Sequence, residues 1–238
     1  MNKLNTSVKV TELGDTALRL VKAFKAVAAV QNDAFLTKTF AEIEKQATAM
    51  TSAVKSDQAL SKLEEADAQR DQAIRVLDKL LKGYENIPLE NLKTHAKKLA
   101  EIFKKYGVKI TGENYASQST LINSLLGDFS ATELKPSIEA LAGVKEALAE
   151  IQTKQNAFAT LRSDYEKAQV SQKEKSSATS LRKPLLELIN KKAVPYLVAM
   201  SVAQPELFKN LTAEASEIIT STNEAIKARS KKEKKEKK

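Results

Sequence analysis

Cysteine is absent from this chain of 238 residues, which excludes disulfides, thiol nucleophiles and cysteine-ligated zinc. Tryptophan is absent too, aromatics make up 5% of the residues, and glycine and proline number only six and five. With so few breakers and rings, good helix formers dominate and long helices are expected. His95 is the one histidine. A single imidazole cannot supply the paired Glu-x-x-His motifs of a di-iron bundle, so the acidic group Glu64, Glu65, Asp67 and Asp71 is not expected to hold metal. No glycine-rich phosphate loop and no Gly-x-Ser-x-Gly elbow occurs. No run reaches the roughly 18 apolar residues that a membrane span needs. Met1 to Asp15 has no apolar signal region, so a cytoplasmic location is expected. These absences predict a protein with no enzymatic activity and no cofactor.

What is present fits a folded chain. Apolar residues make up 42% and charged residues 29%, ordinary values for a protein with a packed core. The formal net charge of +9 is unevenly spread. Between Arg229 and Lys238 lie seven Lys/Arg and two Glu, whereas the body carries 32 basic and 28 acidic residues. Basicity therefore concentrates in a tail.

Three-and-four spacing of apolar residues predicts the helices. Leu36, Phe40, Ile43, Ala47, Met50 and Val54 form one stripe, and Leu63, Ala66, Arg70, Ala73, Leu77, Leu80 and Tyr84 form the next. Pro88 ends the latter. A helix from about Pro88 to Tyr106 follows, with Gly107 as a left-handed stop. Asp15 is expected to cap the first helix, Val108 to Asn114 to be a loop, and Gly127 to close a helix begun near Tyr115. Ser130 and Glu133 have capping-box spacing, with a break at Pro136. Further helices are expected from Val144, from Ser180 with a kink at Pro195, and from Pro205. Ser171 to Ser180 is a loop or a solvated helical continuation.

The expected fold is all-α, a multi-helix bundle of about seven or eight amphipathic helices. It divides into residues 1–129, an N-terminal half, and residues 130–228, a C-terminal half packed with it as one domain. Residues 229–238 are expected to form a disordered tail or a frayed helix end. Leu63 to Phe103 and Leu181 to Ile219 echo each other as helix, tyrosine, proline turn and helix. Arg70 and Tyr84 match Arg182 and Tyr196 in this alignment, which allows two pseudo-repeated sub-bundles.

Three stretches carry a resemblance. They are Glu65-Ala-Asp-Ala-Gln-Arg-Asp71, the run Ala96 to Gly107, and Tyr115-Ala-Ser-Gln-Ser-Thr-Leu-Ile-Asn-Ser-Leu-Leu126; Asn156-Ala-Phe158-Ala-Thr-Leu161 adds to them. In these the chain resembles the helical bacterial proteins grouped as domain of unknown function 6261. That resemblance implies an all-helical architecture and no established activity. A haemagglutinin-type label on some relatives implies a surface adhesin as an alternative, and the missing signal peptide stands against it.

The polar candidates are few. Arg70 falls on the apolar stripe of its helix, where burial without a partner is unfavourable. Asp67, three residues earlier, is within reach of it, and Asp71 lies beside it. One reading is an anion site lined by Arg70 with Arg182 or Arg162. The other is a buried ion pair that fixes helix register. His95 sits beside a stripe, among lysines. The tail residues Lys231, Lys232, Lys234, Lys235, Lys237 and Lys238 can attract nucleic acid or an anionic surface, although two glutamates interrupt them and no aromatic is there to stack on bases. The function expected is a scaffold or protein-interaction protein with a protein partner or its own copy. The alternative is a nucleic-acid-associated protein using the tail.

Overall fold

Helix formers run without interruption for long stretches, and the chain answers with long helices. The computed structural model describes residues 1–171 and 176–236. Its helices are α1 (Val10–Ala26), α2 (Ala34–Glu85), α3 (Glu90–Lys104), α4 (Tyr115–Phe129), α5 (Lys135–Ala140), α6 (Val144–Ser171), α7 (Ala178–Glu187), α8 (Val194–Ala203) and α9 (Pro205–Glu236). A π-helical turn, Leu188–Ala193, joins α7 to α8, and no strand occurs among the described residues. The all-α fold is thus as the spacing predicts.

The most visible departure is α2. The two stripes expected as separate helices belong to one helix of 52 residues. Lys55 to Lys62, between them, contains neither glycine nor proline, so nothing breaks the ladder. Val108 to Gly112, expected as loop, forms 3-10 turns that bury Ile110. Gly107, with φ of +63°, does stop the chain after α3. Gly127 lies inside α4 instead of ending it, and Ser130 closes that helix, its hydroxyl donating to the Gly127 carbonyl at 2.7 Å. Pro136 starts α5 rather than breaking a helix. Asp15 lies within α1, whose start is held by the Lys9 amide donating to Glu12 at 2.8 Å.

The chain divides into two compact units, and the division is not at residue 130. Unit 1 holds Met1–Asp57 and Ala168–Lys238, and unit 2 holds Gln58–Lys167. The boundaries fall within the unbroken helices α2 and α6, which a reading of turn residues cannot detect. The two echoing stretches, Leu63 to Phe103 and Leu181 to Ile219, fall one in each unit.

In unit 1, Leu13, Leu20, Leu36, Ile43, Met50, Leu185, Ile189, Leu211 and Ile219 are buried together, around Phe24 stacked on Phe40 at 4.5 Å. In unit 2, the second stripe of α2 (Ile74, Leu77, Leu81) packs with Leu99, Phe103, Ile122, Leu125, Val144 and Ile151. The tail expected to be disordered or frayed continues α9 as helix to Glu236, with residues 231–236 exposed. Lys237 and Lys238 lie outside the described residues, as does the centre of the polar run after Ser171.

The cap at the start of α2 carries a prediction. Asp33 accepts the Leu36 amide at 2.9 Å with one carboxylate oxygen and the Tyr196 hydroxyl at 2.6 Å with the other. That second bond, followed by burial, pushes the Tyr196 hydroxyl above its ordinary pKa. Asp33→Ala removes both bonds and is expected to destabilise by about 1–2 kcal/mol. Tyr196→Phe should lose less, and the double variant should lose less than the sum of the two. Urea titration of the three variants checks this.

Candidate functional site

An arginine on an apolar stripe must find acceptors, and Arg70 finds them on three helices. It is the largest side chain with essentially no exposure. From its own helix α2, Asp67 Oδ1 accepts from Nε at 2.9 Å and forms an ion pair with Nη2 at 2.8 Å. From α4, Gln118 Oε1 accepts from Nη2 at 2.8 Å and Ser119 Oγ accepts from Nη1 at 3.0 Å. From α6, Gln155 Oε1 accepts from Nη1 at 3.2 Å. A guanidinium has five N–H donors, and four of them donate here, with the ion pair to Asp67 beside them.

The faces of the guanidinium are engaged as well. Phe158, one turn beyond Gln155 on α6, places its ring centroid 3.5 Å from Cζ, and the Tyr115 ring lies at 5.9 Å. Tyr115 meets Phe158 edge to face at 5.1 Å. Such contacts favour a desolvated cation.

The supporting shell is local and specific. Asn114 caps α4, accepting the amides of Ala116 and Ser117 at 3.1 and 3.0 Å. That fixes Tyr115, Gln118 and Ser119 on the first turns. Ser119 donates its own proton to the Tyr115 carbonyl at 2.8 Å, so its oxygen is free to accept from Arg70. Gln118 uses both ends of its amide, donating to Asp71 Oδ1 at 2.6 Å while accepting from Arg70. Asp71 is flanked by Arg75 at 3.9 Å, and Arg75 donates to Thr111 at 2.9 Å.

Burial pulls the Arg70 pKa down, while the hydrogen bond and charge of Asp67 push it back up. Arginine stays charged in either case. Asp71 is pushed above the ordinary carboxylate value by burial, which outweighs the Gln118 bond.

The two aspartates therefore differ in role. Asp67 binds the guanidinium, and Asp71 is a partly desolvated carboxylate whose bond to Gln118 an amide oxygen can replace. Asp71→Asn is expected to change stability at neutral pH by less than about 1 kcal/mol, whereas Asp67→Asn should cost about 2 kcal/mol or more. The sign of the pH effect follows from the raised Asp71 value. Below 3.8 the carboxyl is protonated folded or unfolded, and its stabilising contribution is complete. As pH climbs through that value towards the higher folded one, the unfolded state loses its proton first and the contribution is lost. Asp71→Asn should flatten this part of the stability–pH curve, measured by urea unfolding between about pH 3 and 6.

The other candidates lie elsewhere. Arg182, in unit 1, donates to the backbone carbonyls of Thr6 and Val8. Arg162 pairs with Glu166 at 3.0 Å on an exposed face of α6. His95 Nδ1 lies 3.0 Å from the hydroxyl of Ser137, which is itself buried. A buried serine on a short helix is poorly placed to attack an incoming substrate. Among the described residues, no group of three or more His, Asp or Glu side chains is placed to hold a metal ion. Lys231, Lys232, Lys234 and Lys235 are exposed on the last turns of α9.

Gln118, Ser119, Gln155 and Phe158 are what sequence reasoning missed as partners of Arg70. A signal existed: Gln118 shares a stripe with Ile122, Leu125 and Phe129, and Gln155 shares one with Ile151 and Phe158. A polar residue on the apolar stripe of each of three helices marks a buried hydrogen-bonded layer.

The model of a family of unknown function, DUF6261, matches residues 60–232, a span that includes Asp67, Arg70, Asp71 and Arg182. No curated protein and no solved structure matches the chain.

Proposed function

We propose that this chain, which belongs to the family of unknown function DUF6261, is a non-enzymatic helical scaffold that receives another protein or its own copy on a helix face. The observation that carries this is the closure of the Arg70 cluster: four donors meet internal acceptors, Asp67 pairs with the charge and an aromatic ring covers the cation. Buried charge of this kind fixes helix register and leaves nothing to turn over a substrate. Outside, Val198 and Val202 lie one turn apart on α8, 37% and 81% exposed, and Leu207 follows at the start of α9. Apolar side chains at that spacing suit a packed partner. Sedimentation across a concentration series, with a pull-down, tests the reading. Self-association or a recovered protein that Val198→Asp with Val202→Asp abolishes supports it. A strict monomer that recovers no protein overturns it.

The geometry of the tail favours a second reading, contact with nucleic acid. On a helix, Lys227, Lys231, Lys234 and Lys235 share one side, Glu233 lies opposite them, and Lys232 at the border pairs with Glu236 at 3.9 Å. Glu233 therefore leaves the basic face undiluted, while Glu236 offsets Lys232 at its edge. Truncation after Ser230 tests this while keeping Arg229, which binds Glu12 and the Ser7 carbonyl. Steeply salt-dependent nucleic-acid binding that disappears on truncation would favour this reading over the first.

A further inference from the structure

Residues 3–8 form a hook that unit 1 grips almost wholly by its main chain. Asn190, in the π turn, accepts the Leu4 amide and donates to the Leu4 carbonyl, each at 2.8 Å. Asn223, on α9, donates to the Lys3 carbonyl at 2.9 Å and accepts the Asn5 amide at 2.8 Å. Arg182, on α7, donates to the Thr6 and Val8 carbonyls, and Arg229, on α9, donates to the Ser7 carbonyl at 3.2 Å. Four side chains thus read six consecutive residues without touching the side chains of Lys3, Thr6 or Ser7, which are exposed.

The hook supplies only three side chains of its own. Leu4 and Val8 are each 1% exposed in the core. Asn5 shapes the bend between them: its side chain accepts the Ser7 amide at 2.8 Å and its carbonyl accepts the Val8 amide at 3.2 Å. The pattern read is apolar, Asn, two free positions, apolar.

The π turn that carries Asn190 has a local cause in the sequence. Pro195 cannot donate an amide proton, and the widened ladder before it lets Val194 donate to Ile189 five residues back. That π turn carries Asn190 with Ile189 and Leu188 in the core, together with Leu185, Leu197 and Leu211. Asn190 takes both main-chain groups of Leu4 and Asn223 the complementary groups of Lys3 and Asn5, so two carboxamides satisfy both peptide units that flank Leu4.

We propose that Arg182, Asn190, Asn223 and Arg229 form a peptide-binding groove for segments of the pattern apolar-Asn-x-x-apolar. The chain's own residues 3–8 are its exchangeable occupant, and a partner segment of that pattern displaces them. The groove stands on its own contacts, so its failure would leave the Val198–Val202 face, tested by sedimentation, untouched.

The test uses the full chain with Leu4→Asp and Val8→Asp, which releases the hook, and a fluorescein-labelled peptide of residues 1–9 followed by anisotropy. Saturable binding is expected, at least about tenfold tighter than to the wild-type chain, where the tethered hook competes at high effective concentration. Adding Asn190→Ala should weaken binding by about tenfold or more, and a peptide carrying Leu4→Asp should not bind. A variant of native helicity that fails to bind, or binds equally well with Asn190→Ala, overturns the proposal. Should the variant not fold, the wild-type background with Thr6→Cys, its only thiol, carries the label instead. Peptide at about 1 mM, the scale of a tethered competitor, must then lower the label's anisotropy. An unchanged signal overturns the proposal equally.

Discussion

Replacing Arg70 by alanine is expected to lower the unfolding free energy of unit 2 by about 3–5 kcal/mol. Three losses combine. Gln118, Ser119 and Gln155 lose the donor that their oxygens face, and each unsatisfied buried acceptor is unfavourable. Asp67 loses its cation. The removed side chain is the largest fully buried one, so a cavity opens beneath Phe158. Arg70→Lys keeps the charge but offers three donors from one point where four are used across a planar fork, and should lose about half as much. Arg70→Met fills the space yet satisfies none of the acceptors, and should also fall between the extremes. Tyrosine emission in urea reports this, since four of the five tyrosines, Tyr84, Tyr106, Tyr115 and Tyr165, lie in unit 2 and there is no tryptophan. A loss below about 1 kcal/mol for Arg70→Ala would mean that water already reaches the guanidinium.

Phe158→Ala should be nearly as damaging, at about 3–5 kcal/mol. The ring is completely buried with Leu63 and Ala66, so truncation leaves a void between α2 and α6. It also uncovers the guanidinium face 3.5 Å away and removes the edge contact with Tyr115. Phe158→Leu separates these effects, keeping much of the apolar volume while losing the π face. Because ring and cation share a contact, Phe158→Ala and Arg70→Ala should couple, with the double variant less destabilised than the sum by about 0.5–3 kcal/mol. Additive losses would place ring and cation in independent roles.

Much of this was legible in advance, and what was not has physical reasons. Three-and-four spacing marked α3, α6 and α9 because one face of each is buried against neighbours. The same spacing could not show that Lys55 to Lys62 joins two stripes, since a solvated helical turn and a polar loop have similar composition. Turn residues misled where context overrode them: Gly127 tolerates the helix it sits in, and Pro136 opens α5. The Arg70 position betrayed its burial, but its partners lie 48, 49 and 85 residues away. The hook was invisible for a stronger reason. Leu4 and Val8 have no local periodicity, and the amide that holds Leu4 belongs to a residue 186 positions later. Asn190 faces it from a π turn that only Pro195 hinted at.

The closed state of the Arg70 guanidinium is read most directly by arginine-selective nitrogen-15 NMR. Arg70 should show separate, slowly exchanging Nη–H signals, shifted by the ring current of Phe158 and unmoved by added phosphate or carboxylates. A single averaged signal that exchanges freely with water, or one that moves in saturable fashion with an added anion, would contradict a closed lock and restore an open binding site.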